Sequence, residues 1–360
     1  MPATNLREEL LALLAKEAEY ASPRPPPANP QGGFDGRGLL ASGQDSRMAS
    51  IRQQVCQWNY DSVDYFLVNR EVVHLSMNYF DRYLAARRGE RGDGGDGEGE
   101  VSPTTETVHL LALASLYVAC KRQGTAAASS HDKEEDEEGP YCERASAKFR
   151  VKDFCKLSGG AYAPRMIEGM ELMLLASLRW RLHPPTPMDF VYQFAKLLWL
   201  SLQDNNQEDC PEQGGSHAGG HNVIGEGGWS VFELARYQIE LAVYSPELCQ
   251  ACPPSAVALA SVLNATDSRI AGTDRTAVSA HVRHSFLHRL RCLGERFQED
   301  HMVVSVQQAR MVLATLCPKI IALPRQEAGK VPSLLEYELP KDQLLADESI
   351  SPVGVDSDLV

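Results

Sequence analysis

The sequence has no apolar run long enough to cross a membrane: the longest, "LLALASLYVAC" at 110–120, falls well short of the about 20 residues a spanning helix needs. Positive charge is also scarce, with 35 Lys and Arg against 48 Asp and Glu and a formal net charge of -13. A duplex-binding surface needs clustered cations to displace phosphate counterions, so nucleic acid is not expected as a partner, and neither is a membrane. A basic protein remains open as one. Nine cysteines, an odd number spread over 360 residues, do not make a disulfide framework and point to a reducing compartment. The first residues hold no basic segment followed by an apolar one, so no signal peptide is expected. There is no Gly-x-x-x-x-Gly-Lys loop and no nucleophile elbow, and the glycines at 92–99 lack the strand-to-helix setting of a phosphate cradle. No catalytic residue, metal site or cofactor is therefore assigned, and the chain is not expected to be an enzyme. Cys249-x-x-Cys252 stands without a second pair or a nearby histidine pair, and reads as two half-buried thiols at a helix start.

What remains is helix. Hydrophobic residues at 43% and charged residues at 23% fit one large or two ordinary globular domains. Residues 4–20 read as a leading helix with Asn5 and Glu8 as a capping box and Leu6, Leu10, Leu13 and Leu14 as its stripe. The proline- and glycine-rich stretch 22–38 then breaks it. Five helices are expected near 48–58, 69–86, 104–122, 148–157 and 164–179. After the proline break "HPPTPMDF" at 183–190, five more are expected near 187–202, 229–244, 253–265, 277–298 and 302–317. The third helix carries Val108, Leu111, Ala112, Ser115, Leu116 and Ala119 on the helical period, and small side chains of this kind belong at the centre of a bundle. Lys121 and Arg122 are expected to end it.

One helix carries a puzzle. In "REVVHLSMNYFDRYLAAR" at 70–87, Asn69 is placed to cap and Glu71 suits the first turn. Val72, Val73, Ser76, Tyr79, Phe80 and Tyr83 form a buried stripe, yet Asp81 and Arg82 stand at its margin.

Taken in order, "IRQQVCQW" (51–58), "MNYFDRYL" (77–84), "LLALASLYVACK" (110–121) and "GMELMLLASLRWRLHPPTPMDF" (169–190), followed by a second helical block, resemble the cyclin box. The resemblance runs from about residue 48 to 317. It implies an all-α protein of two tandem five-helix cyclin-box folds, with an N-terminal helix and a disordered acidic C-terminal tail. The expected divisions are 1–47 for the helix and its linker, and 48–183 for the first box, with loops 87–103 and 124–147 inserted. The second box is 184–321, with loop 203–228 inserted, and the tail is 322–360. The family's characteristic Arg, Asp, Leu, Lys and Glu fall on Arg52, Asp81, Leu110, Lys121 and Glu171, with Trp58 six residues after the first.

By resemblance, Arg52 and Asp81 pair within the fold, and Arg82 is left as a solvated neighbour. Lys121 and Glu171 are expected to face a cyclin-dependent kinase catalytic subunit, with Leu172, Leu175, Trp180 and Leu182 beside them. An apolar centre anchored by an aromatic and flanked by charges has the composition of a partner site. The implied role is a regulatory subunit that binds and activates a cell-cycle serine/threonine kinase. The first box would pack on the kinase's αC helix and seat its Glu against the ATP-binding Lys. Protein substrates or inhibitors are further partners of that class, and nucleus and cytoplasm are the expected locations.

Departures from the family pattern qualify this reading. Gln53 and Gln54 replace apolar residues where many cyclins dock Arg-x-Leu substrates, and "RQG" follows Lys121 where an aromatic and two acids are usual. A cyclin-fold scaffold or transcription-associated cyclin that binds a partner without activating a cell-cycle kinase is therefore the alternative. TFIIB-type initiation factors share the double fold but would want a basic face. In the acidic tail, Ser351-Pro352 is a candidate site for a proline-directed kinase.

Overall fold

The structure is a computed structural model that describes residues 2–20, 43–89, 105–129, 150–208, 226–267, 278–293, 297 and 299–316. Its secondary structure there is helical throughout. In chain order the helices are α1 (Pro2–Tyr20), α2 (Gly43–Tyr65), α3 (Glu71–Gly89), α4 (Thr105–Ser129), α5 (Val151–Leu157) and α6 (Pro164–Ser177). They continue with α7 (Pro187–Glu208), α8 (Glu226–Val243), α9 (Pro246–Ala251), α10 (Pro254–Ala265), α11 (Ala280–Leu293) and α12 (Asp300–Leu316).

Two apolar cores divide these elements. The first gathers α2 to α6 around α4, whose residues 111–120 are buried without a break. Ala112, Ala114, Ser115 and Ala119 let neighbouring backbones approach closely, while Leu111, Leu113 and Leu116 fill the space between. The second core gathers α7, α8, α10, α11 and α12 around α10, buried from Ser255 to Ala265 and built on the same small-residue plan. Truncating a leucine such as Leu174 or Leu263 in either core should cost about 2–5 kcal/mol, through lost transfer energy plus a cavity.

Local chemistry sets where helices begin. Thr186 and Asp189 cap α7 reciprocally: the Thr186 N–H donates to Asp189 Oδ2 at 2.7 Å and the Asp189 N–H to Thr186 Oγ at 3.3 Å, with Pro187 as first helical residue. Asn69 Oδ1 accepts the Glu71 N–H at 3.0 Å, which fixes the start of α3. Ser245 caps α9 through the Leu248 N–H at 3.2 Å.

Several boundaries differ from the sequence reading. α1 begins at Pro2, so Asn5 and Glu8 lie inside the helix and form no capping box there. α4 does not stop at Lys121 and Arg122 but runs to Ser129, through alanines that favour helix. Residues 87–89, 203–208 and 226–228, assigned to loops, are helical. The short α9 was not expected. The linker at 22–38, most of the three inserted loops, the tail at 322–360 and Ser351 lie outside the described residues.

The leading helix joins the second core and not the first. Leu6, Leu10 and Leu14 are buried against α7 and α10, with Leu13 half-buried. Glu17 is buried at the start of α10, where Oε1 accepts the Ser255 N–H and Oε2 the Ser255 hydroxyl, both at 2.8 Å. A carboxylate at that position satisfies an orphan helix donor and suits the positive end of the dipole.

Candidate partner-binding site

The outer end of the first core holds the residues that matter for binding. α6 starts at Pro164 and buries Ile167, Met170, Leu174 and Leu175 against α4 and its neighbours. That spacing turns Met166, Leu172 and Met173 outward, and Leu172 is 63% exposed. Beside them the Lys121 ammonium on α4 donates to Glu171 Oε1 at 2.6 Å and lies 4.8 Å from the Tyr117 ring centroid. Burial pulls the Lys121 pKa down, but the Glu171 carboxylate outweighs it and the net shift is upward. Glu171 is only 14% exposed at its side chain and Lys121 46%, so the lysine is the more accessible of the two. Each therefore already holds the other, and neither stands as a free charge.

The end of α6 is strained. The Arg179 N–H bonds to the Ala176 carbonyl and the Trp180 N–H reaches back to the Leu175 carbonyl, the paired closure that places one residue in the left-handed region. Where α5 ends in the same way, the left-handed residues are Gly159 (φ 61°) and Gly160 (φ 81°), which have no Cβ to clash. At α6 the left-handed residues are Arg179 (φ 52°) and Trp180 (φ 58°). Each costs about 1–2 kcal/mol relative to a right-handed conformation. The result is a tryptophan 67% exposed at the end of α6.

Leu175 was expected on this face and is not there; at 6% exposure it belongs to the core, and Leu182 is half-buried against it. The large apolar side chains exposed there are Leu172 and Met173 of α6 and Trp180 of the turn after it. Met173 could have been found from the sequence, being seven residues beyond Met166 on the same side of the helix.

Arg52 and Asp81 meet at the junction of α2 and α3. Arg52 Nε donates to Asp81 Oδ1 at 2.9 Å and Nη2 donates to Oδ2 at 2.8 Å. Arg52 Nη1 also donates to the Val243 carbonyl at 2.6 Å, so the same guanidinium fastens the end of α8 from the other domain. Around it, Tyr60 stacks on Tyr244 with centroids 5.6 Å apart, and the Tyr244 hydroxyl donates to Gln57 at 2.8 Å. Arg70 bridges Asp64 and Glu240. Trp58 is fully buried and Leu110 half-buried against the same core. Ile51 and Val55 are also buried, which leaves Gln53 as the exposed side chain of "IRQQV" and offers no apolar anchor there.

Arg82 corrects the sequence reading. It is not solvated: Nη1 donates to the Arg181 carbonyl at 2.9 Å and Nη2 to the Leu178 carbonyl at 3.5 Å, while its guanidinium lies 5.3 Å from the Tyr20 ring centroid. Burial pulls its pKa down. Cys249 is exposed and Cys252 buried, with the Cys252 thiol directed at the Ser305 carbonyl 3.7 Å away. No group of three or more metal-ligating side chains occurs among the described residues.

The structure is thus a pair of helical domains, each wrapped on a small-residue helix, joined where Arg52 bonds both Asp81 and the Val243 carbonyl. Residues 37–183 match the family model described as "Cyclin, N-terminal domain". Cyclin-D1-1 of Arabidopsis thaliana is 28% identical over 164 residues, 45% of this chain and 36% of that protein. G1/S-specific cyclin-D1 of Danio rerio is 21% identical over 76% of each chain, and human Cyclin-I2 is 25% identical over 56% of this chain and 50% of its own. The matched segments thus span from about a third to three quarters of these relatives. Among solved structures, a viral cyclin from herpesvirus saimiri aligns over 72% of this chain and 86% of its own at 14% identity, with a TM-score of 0.38. Proteins of the cyclin family are regulatory and not catalytic.

Proposed function

We propose that the chain is the regulatory subunit of a cyclin-dependent serine/threonine kinase, and that the α4–α6 face binds the catalytic subunit. One observation carries this reading: within the segment matched to the cyclin N-terminal domain, the Lys121–Glu171 pair lies at the surface, with Leu172 of α6 and Trp180 of the turn after it exposed. Exposed apolar groups held by a strained turn and flanked by opposite charges are what a protein interface requires. On docking, the lysine and the glutamate exchange part of their mutual bond for groups on the kinase. The face then braces the kinase's αC helix, which seats the glutamate needed at the ATP site. The nucleus and the cytoplasm are the compartments where such a complex acts, and a fluorescent fusion imaged through the division cycle tests this.

Co-expression with cyclin-dependent kinases of the same genome, purification, and phosphorylation of a generic basic substrate test the proposal. A Lys121→Ala, Glu171→Ala double variant serves as control. Copurification with activity that the double variant loses is the expected result. A kinase that binds and stays inactive favours the scaffold reading, which the "RQG" after Lys121 supports. Absence of any bound kinase sinks the proposal.

A further inference from the structure

The turn that presents Trp180 is gripped from both sides. Arg82 bonds the carbonyls of Leu178 and Arg181, one on each side of the left-handed pair Arg179–Trp180. Beyond Arg82 lies Tyr20, the last residue of α1, with the guanidiniums of Arg82 and Arg181 at 5.3 and 5.0 Å from its ring centroid. Arg181 Nη2 donates to Glu19 Oε1 at 2.6 Å and to the Glu19 carbonyl at 3.0 Å, and the Tyr20 hydroxyl accepts the His183 N–H at 3.0 Å. The Tyr79 hydroxyl holds the Leu182 carbonyl at 2.6 Å. α1 itself is anchored elsewhere, by Leu6, Leu10 and Leu14 in the second core and by Glu17 on α10. The two ends of one helix therefore connect the second domain to the one strained turn of the partner face.

We infer that Tyr20 and Arg82 are positioning residues that hold the Arg179–Trp180 turn in its left-handed form, so that docking of α1 on the second domain sets how well the first domain's face binds. This rests on the reading of that face as a partner site. The physical reason is conformational competition. Two non-glycine residues side by side in the left-handed region persist only while their surroundings over-determine them. Loss of the brace lets right-handed or extended forms compete, and the apparent Kd rises as the presenting population falls. A drop of that population to about a tenth raises Kd about tenfold.

The test uses the full chain labelled with 5-fluorotryptophan, which places a fluorine on each of its four tryptophans. The Trp180 resonance is assigned by its loss in Trp180→Phe. Without any partner, Tyr20→Ala and Arg82→Lys are expected to shift or broaden the Trp180 line, while the line of buried Trp58 stays in place and reports an intact core. Tyr20→Phe keeps a ring between the two guanidiniums and is expected to restore the Trp180 line. An unmoved Trp180 line in both Tyr20→Ala and Arg82→Lys overturns the inference. A second arm measures affinity for whichever cyclin-dependent kinase copurifies, with about a tenfold loss expected in Tyr20→Ala and recovery in Tyr20→Phe. Unchanged affinity despite a displaced Trp180 line overturns the claim of pre-setting. If no kinase binds the wild-type chain, the proposed function fails and the fluorine lines alone decide the brace.

Discussion

The central helices of the two domains are built alike and end differently. α4 and α10 are both sheathed by their neighbours, with alanine and serine at the close contacts. At the end of α10, Asn264 and Arg310 of α12 bond each other twice, at 2.9 and 3.2 Å, and Arg310 and Arg283 both pair with Asp267. Among the described residues, Asp267, Arg283 and Arg310 are thus held to one another inside the domain. At the end of α4 the Lys121–Glu171 pair lies at the surface, and Leu172 and Met173 of α6 and Trp180 beyond it face solvent. The same packing plan ends in a charge network after α10 and in a half-exposed lysine–glutamate pair at α4.

The most damaging way to break the comparison is to separate the domains. Arg52→Ala leaves Asp81 without its partner and frees the Val243 carbonyl, and urea unfolding should show a loss of about 3–5 kcal/mol. Next, Trp180→Ala should cost about 2–4 kcal/mol of kinase affinity in a calorimetric titration while leaving the unfolding midpoint little changed, because a side chain 67% exposed adds little to the core. Arg310→Ala should do the reverse, with stability falling by about 1.5–3 kcal/mol and kinase affinity unchanged.

A pH scan separates the first core from the second. His74 of α3 has its pKa lowered from 6.5 to about 4 by burial, and its Nε2 has no partner among the described residues. The unfolded chain then binds the proton more readily than the folded one, so stability falls as pH drops from about 6.5 towards 4. The loss should be on the order of 2 kcal/mol between pH 7 and pH 5, and His74→Gln should flatten it in a melting series. The smallest effect is expected for Lys121→Ala on the free chain. That half-exposed pair should contribute under about 1 kcal/mol to stability, whatever it contributes to binding.

The helices were legible in the sequence wherever apolar residues recur at three and four over several turns, as along α3 and α4. α9 was not, since six residues between Pro246 and Ala251 are too few to show a period. The role of Arg82 was hidden because its acceptors lie about a hundred residues downstream, at Leu178 and Arg181. Leu175 and Trp180 were placed together by the family resemblance, which does not show how the chain turns after residue 178. The left-handed turn after Leu178 instead sends one inward and the other out. The stripe of α1 was read correctly, but an apolar stripe does not name the surface that covers it.

That last feature has a bearing on how the molecule is made. Leu6, Leu10 and Leu14 are synthesised well before the helices that cover them, α7 and α10, the second of them some 240 residues later, as the Glu17–Ser255 separation of 238 measures. Closing so long a loop is slow, and until it closes a greasy stripe stays open to chaperones and to other nascent chains. The first domain can complete its own core before then, whereas the brace on Trp180 must wait for α7 and α10. A chain that lacks the second domain would therefore carry the partner face without the anchor of the helix that tightens it.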